Sequence, residues 1–476
     1  MTLSTEEHAL INQLSLRHDA EIPELELYDR YYEGTQPLTY MQPEVLREVH
    51  PRVRTVIVFW PQLVIGSREE RLDIEGFRLP DETADDDEMW RIWQANDMDE
   101  QASQAHIDAL VMRRSYVCVG TNEADPDTPL ITVESPLEVY ADIDPRNRKV
   151  RAALRRINDV DPAGGVGPRY ATLYLPNETI WCTWEGGWKE DQRDGHGVGE
   201  VLIEPLINRR RTRSSTVTPT NRTVERLGRS ELDGVLPLSD AACKLATDMM
   251  IAADGVAIPL RALFGIGPDG FRDEQGNPMT PIQAIMGRFL TIPDEAVKAF
   301  EFAAAQLSNF GAGIREIAQM MSAVGALPPD YLGYSHTNPA SAEAGRVAET
   351  RLIKRSERIQ RCFSGPWERV QRKVRRVATG KWDDDLRRLE TRWRDAATPT
   401  VAASADAAVK KHQAGITPKR QAREDLGYTD AQITRMEQWD EEDAARSPMG
   451  TIARGLADQR LTGGAPAAGG ADAGAA

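Results

Sequence analysis

Apolar residues recur at three- and four-residue spacing from about residue 4 to 33, with Leu10, Leu14, Ile22 and Leu25 on one side. Tyr28, Tyr31 and Tyr32 close that run before Gly34, and the period predicts a helix. A second helical period covers about 87–114, after the acidic loop 80–88. From Ser115 to about Trp188 the period changes to two. SYVCVG, PLITVES, PLEVYADID, KVRAALRRI, RYATLYL and TIWCTWEGGW alternate and are cut by Gly, Pro, Asn and Asp. Tyr170–Leu175 and Thr179–Trp184, joined through Pro176-Asn177-Glu178, form the best hairpin candidate. Together these predict an α+β region built on an antiparallel sheet.

The second half reads as predominantly helical. Ser239 is placed to cap a helix ending near Asp254, with Ala242, Leu245, Ala246 and Met249 on one face and Gly255 as its stop. Residues 256–302 are rich in Gly and Pro with short apolar runs, the composition of a small β-containing module. A helix resumes over 303–324, with Leu307, Phe310, Ile314, Ile317, Met321 and Val324 three or four apart. Gly325 is expected to cap it, and Pro328-Pro329 prevents continuation into an extended loop. A longer helix follows Asn338, striped by Ile359, Phe363, Trp367, Val370, Val374 and Val377, with a bend expected at Gly365-Pro366. Three shorter helices are expected at about 400–414, 418–426 and 430–445, with Pro418 opening the second and Thr429 with Gln432 as a capping box. Beyond that the chain becomes Gly and Ala, a composition expected to stay disordered.

Charge changes this picture most in one place. From Arg346 to Arg376 there are eleven Lys or Arg against three acids, inside a chain of formal net charge −16. A concentrated basic element in an acidic protein suggests one place that meets a polyanion or an acidic neighbour, while the remaining surface repels nucleic acid. At 476 residues the chain is long enough for two to four subdomains. The longest apolar run, 56–66, is broken by Pro61 and falls short of the roughly 18 residues a membrane span needs, so no membrane partner is expected. The first ten residues lack a basic and an apolar segment, so no secretory signal is expected. The four cysteines are widely spaced without CxxC, which suggests reduced thiols.

Catalytic signals are weak. There is no GxxxxGK[ST], so no P-loop motor is expected in this chain. Gly265-Ile266-Gly267-Pro268-Asp269-Gly270 matches GxGxxG, but FRDEQGNP follows where a helix should open, which favours a plain turn. Asp85–Asp87 and Asp383–Asp385 are aspartate triplets a nuclease could use with Mg2+, yet consecutive aspartates point different ways and favour solvated loops. The seven histidines never fall at HxxxH or HxH spacing. No catalytic residue, cofactor or metal is expected. The candidates are instead basic: Arg315, Lys354, Arg355, Arg358, Arg209, Arg210 and Arg211 could face DNA or pair with a neighbouring subunit. The loop bearing Tyr331, Tyr334, His336 and Asn338 between two long helices reads either as a linker or as a functional loop facing a lumen.

The segments Tyr31-Tyr32-Glu33-Gly34, Ile207-Asn208-Arg209-Arg210-Arg211, Gly228-Arg229-Ser230-Glu231, Pro237-Leu238-Ser239-Asp240-Ala241, Pro328-Pro329-Asp330-Tyr331-Leu332-Gly333 and Asn338-Pro339-Ala340-Ser341-Ala342 occur in this order. In order and spacing the chain, from roughly residue 28 to 445, resembles portal proteins of tailed bacteriophages. That resemblance implies a fold of wing, stem, clip and crown. It places the wing at 1–237, stem helices at 238–254 and 303–326, and the clip at 255–302. The tunnel loop would be 327–340, a long basic wing helix 341–379, the crown 380–446 and a disordered tail 447–476. It further implies a homo-oligomeric ring, dodecameric in the family, at one capsid vertex, through which double-stranded DNA is packaged and ejected. The implied partners are a terminase motor, a head-to-tail adaptor, and major capsid and scaffold proteins, in the host cytoplasm during assembly and in the virion afterwards. Arg261, Phe264, Phe271, Arg272 and Arg288 would then serve motor and adaptor docking. The competing readings are a DNA-processing nuclease and another structural head protein.

Overall fold

The computed structural model describes residues 3–37, 56–82, 84–160, 166–210, 227–257, 261–264, 298–301, 307–333, 342–397 and 401–446. The chain forms two compact units, one of Met1–Phe77 with Asp87–Ala396 and one of Arg78–Asp86 with Ala397–Ala476. The fold is mixed helix and sheet, as the pattern of the sequence suggests.

The N-terminal helix is two helices, α1 (Thr5–Asp19) and α2 (Ile22–Tyr32), where the apolar period suggested one. Ser4 opens α1 with a capping box, its Oγ accepting from the Glu7 N–H at 3.2 Å and its own N–H donating to Glu7 at 2.6 Å. Pro23 explains the break, because it has no N–H to continue the ladder and sits in the first turn of α2. The helix α3 (Trp60–Glu69) occupies the apolar run that the sequence showed only as too short for a membrane, with Pro61 in its first turn. After the strand β1 (Ile74–Arg78), the helical stretch expected over 87–114 is also two helices. These are α4 (Asp87–Ala95) and α5 (Met98–Val111), split where Asp97 takes a left-handed φ of 51°.

The alternating stretch makes two sheets rather than one. Strands β2 (Arg114–Gly120) and β3 (Leu130–Glu134) pair antiparallel, and β9 (Ile203–Ile207) joins the other edge of β2. Strands β4 (Val139–Ile143), β5 (Val150–Val160), β6 (Val166–Tyr174), β7 (Thr179–Trp184) and β8 (Trp188–Asp194) form a five-stranded meander. The hairpin read from Tyr170–Trp184 is present as β6–β7, in register from Tyr170 opposite Thr183 to Tyr174 opposite Thr179. Ile11 and Leu14 of α1 pack with Leu154, Leu173 and Ile180 on one face of the meander. Tyr116, Ala153 and Ile203 form a second core that joins the two sheets.

In the second half, α6 (Leu236–Ala257) packs against α7 (Leu307–Gly325). Ser239 is not the cap of α6: it lies inside the first turn, its N–H donating to Val235 O at 2.9 Å, and the helix runs on through Gly255. Nor is Gly325 the left-handed residue that ends α7. That role falls to Ala326, with φ 57°, while Leu327 N–H returns to Ser322 O at 3.1 Å and Ser322 Oγ donates to Leu327 O at 2.7 Å. Between α6 and α7 lie strands β10 (Arg261–Phe264) and β11 (Lys298–Glu301), which pair antiparallel from Arg261 opposite Glu301 to Phe264 opposite Lys298. The Gly265–Gly270 turn, Phe271, Arg272 and Arg288 lie outside the described residues.

The long helix α8 (Ala342–Thr379) has 38 residues and continues through Gly365-Pro366, giving a length of roughly 57 Å. Ile359, Phe363, Trp367, Val370 and Val374 are its buried stripe. Trp367 meets Trp93 edge-on at 5.1 Å and donates its indole N–H to His106 Nε2 at 3.0 Å. Burial pushes His106 down to about 3, so the ring stays neutral and can accept that bond. The strand β12 (Glu390–Trp393) then pairs with β1. In the second unit, α9 (Val401–Gln413), α10 (Lys419–Glu424) and α11 (Asp430–Arg446) bury Ala408, Ala422 and Ile433. Gly415 and Gly427 stop the first two with φ near 70° and 81°, and Gln432 Oε1 accepts from Thr429 N–H at 3.0 Å. Pro418 stands one position before α10 as its cap rather than within it. Residues 447–476 lie outside the described residues. Among the described residues no helix is long and apolar enough to cross a membrane.

Candidate functional site

Two of the ordered segments, 207–211 and 228–231, meet at one place beside the start of β2. Asn208 is fully buried; its N–H donates to Arg113 O at 2.9 Å and its Nδ2 to Arg229 O at 2.9 Å and Glu231 Oε1 at 3.2 Å. Arg229 N–H returns to Asn208 O at 3.0 Å. Gly228 makes this approach possible. It holds φ +97°, and a Cβ there would stand 2.5 Å from Arg113 O and 2.6 Å from Asn208 O.

The junction fixes Glu231, whose side chain is 1% exposed, among three guanidinium groups. Arg355 lies at 3.3 Å, and Arg68 and Arg209 each at 3.6 Å. Burial by itself raises a carboxyl pKa, but Arg68, Arg355 and Arg209 outweigh it and hold Glu231 below its ordinary value. Burial also drives Arg68 down to about 10, which still leaves it charged at neutral pH. The same arginines close the end of α7. Arg68 donates to Gly325 O at 2.6 Å, Arg351 to Ala323 O at 3.2 Å and Arg355 to Val324 O at 3.1 Å. Three cations thus meet the terminal carbonyls and the negative end of the helix dipole.

Around this core opens a cleft of about 1020 Å³ between α8, the end of α7 and the strand end at Ile207. Arg209, Arg210, Arg229, Arg351, Lys354, Arg355, Arg358, Arg361 and Arg369 line it, with Glu231 as the acid among them. Lys354, Arg358 and Arg361 are exposed, and none of the three forms an ion pair among the described residues. A second cavity of about 830 Å³ shares Arg210 and Arg369 with the first and adds Arg148, Lys149, Arg372, Lys373 and Arg387. There Glu204 is the buried counterion, 2.6 Å from Arg369 and 2.9 Å from Lys373. Burial raises its pKa, but those two cations win and keep it below the ordinary value. Such a surface can hold carboxylates or phosphates; it offers no nucleophile paired with a base.

Residues 11–449 match the family described as phage portal protein, SPP1 Gp6-like. The chain belongs to that family. A portal protein of Mycobacterium phage D29 is 39% identical over 402 residues, covering 82% of this chain and 79% of the relative. One of Mycobacterium phage L5 is 37% identical over 421 residues, covering 85% and 83%. Among solved structures the chain is similar to one in the neck of an empty gene transfer agent particle computed with C6 symmetry. The identity there is 14% and the TM-score 0.44, covering 86% of this chain and 93% of that one. The family assignment stands on the sequence match. The chain is a phage portal protein by family, and the family is a structural rather than a catalytic one.

Within this portal chain the basic residues singled out by sequence divide. Arg209, Arg210, Lys354, Arg355 and Arg358 come together in the cleft, whereas Arg315 is exposed on α7 away from it. Arg211 lies outside the described residues. The segment after Pro328 begins as a 3₁₀ turn, Pro329–Leu332, rather than as an extended loop. Tyr331 there is tied on both sides, accepting from Arg71 at 3.3 Å and donating to Glu349 at 3.2 Å. Tyr334, His336 and Asn338 lie outside the described residues, and Arg261 and Phe264 fall in β10. Asp383 accepts from Asp385 N–H at 3.0 Å and Asp384 pairs with Arg387 at 2.9 Å, so that triplet is engaged locally. Sequence reasoning named Glu231 only as the end of the segment Gly228–Glu231, with no role of its own, and did not single out Arg68 or Glu204. Each is one charge whose partners are distant in the chain.

Proposed function

We propose that this portal chain assembles head to tail into a closed ring, twelve-membered as in the family, at one capsid vertex. Double-stranded DNA passes through its channel during packaging and ejection. Membership of the portal family over 11–449 is the observation that carries this reading. The charge balance supports it. Twelve copies at −16 each carry −192, and a mainly repulsive ring lets DNA slide, because every neutralised phosphate adds affinity that would stall movement. A separate terminase motor supplies the work.

The segment roles follow the family plan: wing to 237, stem helices at 238–254 and 303–326, tunnel loop at 327–340, long wing helix at 341–379 and crown at 380–446. The module 255–302 is the clip that meets the motor and later the head-to-tail adaptor, through Arg261, Phe264, Phe271, Arg272 and Arg288. The antiparallel pairing of β10 with β11 supports a self-contained module, since it closes the insert at its base. Major capsid and scaffold proteins are the remaining partners, in the host cytoplasm and then in the virion. Replacing 260–295 by a short Gly-Ser linker tests the docking role: subunit folding should persist and motor binding should disappear. Retained motor binding in that variant would contradict it.

A further inference from the structure

The cleft has an electrostatic opposite on the same unit. The helices α2, α3 and α5 pack against one another and bring Glu26, Asp29 and Glu33 of α2 beside Glu69 of α3 and Asp108 of α5. Among the described residues none of Glu26, Asp29, Glu33 or Asp108 pairs with a cation. Glu69 accepts from the Ser103 hydroxyl at 2.5 Å and forms no ion pair among the described residues. The crowding is felt. Burial and then the neighbouring Asp29 push Asp108 up to about 7, and burial, Glu33 and Glu26 raise Asp29. The cleft carries the reverse strain: burial together with Arg209, Arg351 and Arg358 lowers Arg355 despite Glu231, and in the adjoining second cavity burial and Arg369 lower Arg372.

The helix α3 stands between the two patches. Its consecutive residues Arg68 and Glu69 project about 100° apart, one to Glu231 and the end of α7, the other to Ser103 of α5. Charges of one sign held together on one side, and of the other sign on another side, cannot neutralise each other within one chain. They can between copies, and a heterologous contact of this kind closes into a ring when each copy turns by the same angle.

We propose that the α2/α5 acidic face of one copy docks into the basic cleft of the next, making this pair the principal electrostatic contact between subunits. The inference rests on the ring reading above. The occupant is a second copy rather than duplex DNA, because the chain itself carries, on α2 and α5, carboxylates without a cation partner among the described residues that complement the charge of the cleft. Among the described residues the exposed cleft cations Lys354, Arg358 and Arg361 have no carboxylate partner, so they are the residues that meet the incoming acids, although Arg361 also donates to Glu357 O at 3.3 Å.

A charge swap tests this with full-length protein and mass photometry. Lys354→Glu with Arg358→Glu should raise the concentration needed for rings about tenfold or more, and so should Glu26→Lys with Glu33→Lys. All four changes in one chain should bring that concentration back to within about threefold of wild type, since every interface is again complementary. Melting curves should match wild type because the four side chains are exposed; if the reversals unfold the chain, the neutral pair Lys354→Gln and Arg358→Gln should show a smaller loss of the same kind. Single reversals that assemble like wild type would overturn the proposal, as would a fourfold variant no better than the weaker pair. A cleft variant that keeps its rings but loses salt-sensitive affinity for duplex DNA would assign the cleft to DNA instead. Wild-type protein that forms no ring would overturn the ring reading and this inference with it.

Discussion

Gly228 holds the floor of the cleft by having no side chain. With φ +97° and carbonyl oxygens of Arg113 and Asn208 within 2.6 Å of where a Cβ would stand, the backbone has no room to yield. Gly228→Ala should therefore destabilise the chain by about 2 kcal/mol or more in urea titrations, well above an ordinary surface change. Asp108 makes a prediction of opposite sign. Its carboxyl is raised from the ordinary 3.8 to about 7, by burial first and Asp29 second, with Tyr32 and the Ser135 hydroxyl as its other neighbours. The folded state holds that proton more tightly than the unfolded one. The stability it contributes is thus complete below about 4 and lost as pH rises through about 7. Asp108→Asn should leave stability at pH 4 nearly unchanged and raise it at pH 8 by about 1–2 kcal/mol, because the largely buried carboxylate is then no longer forced to ionise. At this scale the sequence was legible in part. The arginines of 346–376 announced themselves by number, but Glu231 did not, because residues 68, 209 and 355 reach it only through the tertiary fold.

Elements were legible where a period ran long enough to count. The stripe from Ile359 to Val374 predicted the buried face of α8, and alternation predicted the β6–β7 hairpin in its observed place. The helix α3 was hidden because its apolar run is too short to set a period, and only Pro61 in the first turn marks its start. β1 and β12 were hidden for another reason: each is short, and they pair across more than 300 residues of sequence. Caps were harder still. A glycine next to a helix end suggested its stop at Gly325, yet the chain puts Ala326 in the left-handed position and holds it there with the Ser322–Leu327 bonds. That arrangement carries a strain of about 1 kcal/mol for an L-residue. Ala326→Gly should accordingly raise stability by about 0.5–1 kcal/mol in the same titration, with the α7 helix content by circular dichroism unchanged.

For the whole molecule, family membership and charge point the same way. A chain with net charge −16 concentrates eleven of its 58 Lys and Arg in residues 346–376, and there spends several of them on Glu231, Glu204 and the end of α7. What composition could not convey is which surface each remaining charge faces, since that depends on neighbours in the assembly. The ring is the claim on which the rest depends. Mass photometry of the purified full-length chain at micromolar concentration, over a range of salt, tests it most directly. The account predicts one dominant closed species of about twelve 52.9 kDa subunits, weakening as salt screens the contacts between copies. A distribution holding only monomer and dimer at every salt concentration would contradict it.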